Sequence, residues 1–176
     1  MSNSQVVANG FKAFKQRLEQ QLLKALVETA KTLLLDALDK REYQSFTGNT
    51  VTSYACGIFY KGELIQIVEQ SNRMAEPVHA KIQNGQLVWL DNPYEGLPRS
   101  VRGKVNITYN ASGVETSKAL LSSASVDKSL YTVRMLTGTE YSQYLENVYN
   151  MNVLSDTAIP SNVSTIATQN IKNNVR

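Results

Sequence analysis

Reactive side chains are scarce here: the 176 residues contain one cysteine, Cys56, and one histidine, His79. A lone cysteine excludes an internal disulfide, and no cysteine and histidine cluster has the spacing of a zinc site. Folding in a reducing compartment is the expectation. His79 has no serine or acid nearby at a spacing that would make a catalytic set, and Cys56 sits beside no basic group. Phosphate loops and dinucleotide fingerprints are also missing. The reading is therefore of a chain that is not an enzyme and that uses no metal and no cofactor. Asp36, Asp39 and Glu42 are interleaved with Lys40 and Arg41 and read as a solvated helix end. No apolar run approaches the roughly 20 residues that cross a bilayer, and the start, Met-Ser-Asn-Ser-Gln, lacks the pattern of a signal peptide. A soluble chain that makes no membrane contact and is not exported is expected. The sequons at Asn106, Asn110 and Asn162 then read as chance products of a polar sequence.

Charge of one sign is equally thin. A formal net charge of +3 is spread along the chain, short of the concentrated footprint of a dedicated nucleic-acid binder. Arg99, Arg102 and Lys104 form one small basic cluster, with Tyr94 near, suited to phosphate or an acidic partner surface. A hydrophobic share of 42% in 176 residues allows one domain with its own core.

What is present begins with a long amphipathic helix. From about Gln5 to Arg41 apolar residues recur at Val7, Phe11, Phe14, Leu18, Leu22, Leu26, Ala30, Leu33 and Ala37, steps of three and four that keep one face apolar. Gly10 is the weak point, which sets residues 1–10 apart as an N-terminal arm. Some 35 helical residues span roughly 50 Å, against roughly 26 Å for a small domain. A single sheet covers only part of such a rod, and the remainder is expected to pack on other subunits. The period then changes. Tyr54, Cys56 and Ile58 alternate with Ala55 and Phe59, Lys61-Gly62 suits a hairpin turn, and Leu64–Glu69 alternates again. Short strands are expected around Asn84-Gly85, at Val101–Tyr109 and at Leu130–Leu136. A short helix is expected over Glu115–Ala124, and another of about ten residues after Gly138, with Thr139 as its cap. The apolar residues beyond Leu154 are too few for a separate core, so residues 155–176 read as an extended tail. The fold class predicted is α+β: a long N-terminal helix packed on a small antiparallel sheet, with residues 11–154 as the domain.

Two short motifs stand out. Thr47-Gly48-Asn49-Thr50 with Ser53 closes the long helix, and Glu140, Tyr141, Tyr144 and Glu146 open the late one. In this order they make the chain resemble the head-to-tail connector or tail-completion family of tailed bacteriophages. Its members carry a Thr-Gly-Asn-Leu-x-x-Ser type motif after the first helix and a Glu-Tyr-Ala-x-Tyr-x-Glu type motif in the late helix. Thr50 stands here in the leucine place and Ser142 in that of the alanine. The resemblance implies a structural virion protein of the neck or tail, made in the host bacterial cytoplasm. Such a subunit forms a ring with its own copies, meets portal or adaptor and tail proteins, and makes at most passing contact with genomic DNA.

Physical reasoning assigns Thr47, Gly48 and Asn49 to a structural corner, because glycine allows a sharp reversal and the polar pair can bond freed backbone groups. Phe11, Phe14 and Leu18 on the long helix, Tyr141 and Tyr144 on the late one, and Ile159, Val163 and Ile166 in the tail are the expected subunit contacts. The tail is expected to cross onto a neighbouring subunit or another virion protein. The alternative is a small intracellular binding module that contacts nucleic acid or an acidic partner through Arg99, Arg102 and Lys104.

Overall fold

Thirty-eight consecutive residues, Asn3–Lys40, form helix α1. They belong to a computed structural model that describes residues 3–43, 49–69, 80–84, 86–89, 113–128, 130–139, 142–149 and 151–175. Gly10 does not interrupt α1, and nothing lies within 4 Å of where its Cβ would stand. The position is open, so its cost is the roughly 1 kcal/mol of glycine's poor helix propensity, which the turns on either side absorb. Residues 3–10, expected as a separate arm, are the first turns of this helix. At the other end, orphan carbonyls find side chains: Asn152 Nδ2 donates to Lys40 O at 2.8 Å, and Arg41 donates to Leu38 O at 2.7 Å.

The short turn α2, Asn49–Thr52, leads into β1, Tyr54–Tyr60, and β2, Glu63–Glu69. Lys61 (φ 52°) and Gly62 (φ 89°) form the connection, and two positive φ values match the right-handed twist of a hairpin. The β1–β2 register slips between Ile58 and Phe59. A separate antiparallel pair, β3 at Ala80–Gln83 and β4 at Gln86–Trp89, turns at Asn84. Helix α3, Gly113–Ser122, precedes β5, Tyr131–Thr137, which pairs antiparallel with β1. The main sheet has the order β2-β1-β5.

Alternation along β1 puts its two faces in different cores. Tyr54, Cys56 and Ile58 pack with Leu26, Ala30, Leu34 and Ala37 of α1 and with Val68 of β2. Ala55 and Phe59 meet Leu121 of α3 on the other face. The sheet thus lies between α1 and α3, and β1 is the strand that both helices bury. The α+β class read from sequence is the class observed. The strand expected at Val101–Tyr109 lies outside the described residues.

After helix α4, Ser142–Tyr149, the chain turns and forms α5, Pro160–Asn174. This corrects the extended tail expected there. Pro160 has its fixed φ preorganised for the helix start, and Val163, Ile166 and Ile171 fall on one side at helical spacing. They are too few to make a core of their own, but α1 supplies the other half. Asn162 of α5 donates to Asp36 and Asn170 to Thr32, so α5 runs back along α1.

Candidate functional site

Every described residue of α1 from Asn3 to Leu18 is exposed. Among them Phe11 is 71% exposed, Phe14 54% and Leu18 40%, with Val6 and Val7 equally bare. Eighteen residues make five full turns of an α-helix. Val7 and Phe11 therefore point along the helix as Ala25 and Thr29 do, and those two are buried in the domain. By the same count Phe14 and Leu18 point as Thr32 and Asp36 do, toward α5. The overhang presents the very face that the sheet and α5 cover farther along. Cations flank it: Lys12, Lys15, Arg17 and Lys24 stand against the single carboxylate Glu19 between Asn3 and Lys24. Lys15 is 3.9 Å from Glu19, and the Arg17 guanidinium lies 5.8 Å from the Phe14 ring centroid. The expected interface residues Phe11, Phe14 and Leu18 are therefore brought together as one uncovered stripe.

The expected tail residues are placed differently. Val163 and Ile166 are half-buried within α5, which lies along the α1 of its own copy, while Ile159 is 46% exposed. A neighbour is thus not needed to seat this segment. Polar residues do much of the seating. Asp36 Oδ2 accepts from Thr157 Oγ1 at 2.8 Å, Asn162 Nδ2 at 2.9 Å and Lys40 Nζ at 2.8 Å. Partial burial raises its pKa, but bonds from Lys40, Thr157 and Asn162 outweigh that and leave it below the usual value. Glu146 on α4 does the same for the reversal that follows. Its carboxylate accepts the backbone N–H groups of Val153 (2.7 Å), Leu154 (3.0 Å) and Ser155 (2.9 Å). Burial again pulls upward and is outweighed by hydrogen bonds from Ser155, Leu154 and Val153, so this carboxyl too sits below its ordinary range. Tyr54 OH donates to Val153 O at 2.9 Å and shares a 2.7 Å bond with Tyr43 OH.

Of the structural corner, Thr47 and Gly48 lie outside the described residues. Asn49 opens α2, and its Oδ1 accepts from Gly113 N, the first residue of α3, at 2.8 Å. It does satisfy a free helix-end group, that of α3. Beside it, hydroxyls tie four elements together. Ser117 Oγ donates to Ser53 O at 2.5 Å, Ser53 Oγ meets Thr137 Oγ1 at 2.5 Å, and Thr139 Oγ1 bonds Ser142 Oγ. Thr139 therefore meets Ser142, the first residue of α4, through its side chain and through its carbonyl, which accepts from Ser142 N at 3.1 Å. Next to this knot an open groove of about 670 Å³ runs between α3, the end of β5, α4 and the 153–158 segment. Thr116, Leu120, Leu136, Asn147, Leu154 and Ala158 are among its walls, and among the described residues Glu146 is the charged one that lines it.

Comparison with family models, curated proteins and solved structures finds no match. The site therefore has to be argued from geometry. Cys56 is buried in the core, and that burial pushes its thiol up to about 12, far from a reactive thiolate. Among the described residues no three of His, Cys, Asp and Glu gather as a metal site, and no helix is long and apolar enough to cross a membrane. His79, Arg99, Arg102, Lys104, Glu140 and Tyr141 lie outside the described residues, as does the side chain of Tyr144. Sequence reasoning passed over Asn152 and Thr157, took Asp36 for a solvated carboxylate, and named Glu146 only within a motif. A signal was available. The run Asn152-Val-Leu-Ser-Asp-Thr157 after a helix is dense in residues that bond nearby backbone.

Proposed function

We propose that this chain is a structural subunit of a tailed-bacteriophage virion, forming a homo-oligomeric ring in the neck or tail that joins the portal-bearing head to the tail. The observation that carries the reading is the uncovered stripe Val7, Phe11, Phe14 and Leu18. It continues the phase of the buried face of α1 over about four exposed turns. Fully burying a side chain of this size contributes about 1.5–3 kcal/mol, which is available to an assembly and wasted in a monomer. The order of long helix, short turn, strand hairpin, a strand ending at Thr137 just before Gly138, and a late helix carrying Glu146 agrees with the resemblance that suggested the family. Ring subunits act by shape and contact, so the reading assigns no catalysis and no cofactor. In it the basic residues 99, 102 and 104 are at most a passing contact with DNA or a partner.

Native mass measurement of the purified chain, alone and mixed with candidate portal and tail proteins, tests this. A closed oligomer or a stoichiometric complex is expected, and a monomer under both conditions would overturn the reading. Salt gives the second arm. Nucleic-acid affinity falls steeply with salt through counterion release, whereas an assembly held by apolar helix contacts responds weakly.

A further inference from the structure

We infer that the ring contact is head-to-tail, with the α1 stripe of one copy seated in the groove between α3, β5 and α4 of the next; this deepens the ring reading and rests on it. The two surfaces belong to opposite ends of the molecule. The groove includes Val153 and Leu154, next to Asn152, which bonds the last carbonyl of α1. The stripe lies at the start of the same uninterrupted helix, about 33–50 Å away at 1.5 Å per residue. A copy cannot fill its own groove with its own stripe.

Charge selects the pairing. Cations Lys12, Lys15 and Arg17 flank the stripe, whereas among the described residues that line the groove the charged one is the carboxylate Glu146. Packing stripe against stripe in a two-fold dimer would bring the two cationic flanks together, which costs free energy and disfavours that partner. Size agrees as well. About 670 Å³ falls within the roughly 300–1,000 Å³ of clefts that bury sizeable apolar ligands. Unlike surfaces at opposite ends make a heterologous contact, which propagates from copy to copy and closes when the rotation allows.

Two variants test the inference. Phe11→Glu with Phe14→Glu blocks the stripe, and Leu120→Lys with Ala158→Lys blocks the groove. Phe11, Phe14 and Leu120 are about half exposed or more, and Ala158 is exposed, so both variants should keep the wild-type circular dichroism and melting temperature. Each alone is expected to fall from the oligomer mass to the monomer mass in native mass measurement. Mixed, they should form a 1:1 dimer and nothing larger, because one intact stripe and one intact groove remain. Wild-type-sized oligomers from the groove-blocked variant, or no dimer in the mixture, would overturn the head-to-tail contact while leaving a ring built through other surfaces. A monomeric wild type, alone and with neck partners, would instead remove the ring reading itself. A neck partner that occupies the groove of the wild-type oligomer would also overturn the proposed occupant.

Discussion

Gly138 sits where α3 meets the end of β5. A Cβ added there would stand 2.5 Å from Ser117 N and closer still to Gly113 O, both of them backbone atoms in the start of α3. Backbone cannot rotate away as a side-chain tip does, so the α3–β5 junction would have to open. Gly138→Ala is expected to cost roughly 2–3 kcal/mol, in the upper part of the range for overpacking, read as a lower urea midpoint at unchanged slope. Cys56 makes the opposite case, a residue whose burial hides its chemistry. With its thiol pushed up to about 12, it should resist a thiol-labelling reagent at neutral pH and react readily in denaturant. Rapid labelling of the native chain would show that β1 is not the buried strand described.

At the scale of elements, α5 is the piece held most by polar bonds and least by a core. None of its residues is fully buried, and Asp36 and Glu146 anchor its start and the turn before it. Both carboxyls lie below their ordinary values of 3.8 for Asp36 and 4.5 for Glu146. A depressed folded-state pKa means that the unfolded chain binds protons first as pH falls. The stability the pair contributes is complete above those ordinary values and is lost as pH drops through the lower folded-state ones. Amide exchange should therefore show α5 opening before the β1–β2 hairpin does as the pH falls below about 4.5. Glu146→Gln keeps the shape but turns an acceptor toward three N–H donors into a partial donor. A loss of about 1.5–3 kcal/mol is expected at neutral pH, and a flatter acid response should accompany it. Wild-type acid sensitivity in this variant would move the effect elsewhere.

At the scale of the molecule, the body and the overhang have separate jobs. Residues 3–18 are all exposed, so deleting residues 1–17 should leave the melting temperature within a few degrees of the full chain. The same deletion should abolish self-assembly. A large fall in melting temperature would mean that the stripe is covered within the single copy, and the assembly reading would lose its foundation.

Local pattern was enough for much of this protein. Steps of three and four made α1, two-residue alternation assigned Tyr54, Cys56 and Ile58 to one face and Ala55 and Phe59 to the other, and Lys61-Gly62 marked the hairpin. These follow from backbone geometry over a few residues, which a linear chain displays directly. The length of the apolar stripe also announced that part of α1 would go uncovered. What needed the folded chain were contacts between residues far apart in number. Asp36 looks solvated until Thr157 and Asn162 arrive, more than a hundred residues later. Asn49 looks like a cap for the helix before it until Gly113 is placed beside it. Residues 155–176 look too sparsely apolar to fold because their partner surface is on α1. Side-chain spacing shows which face of an element is apolar, but only the packed arrangement decides what that face meets.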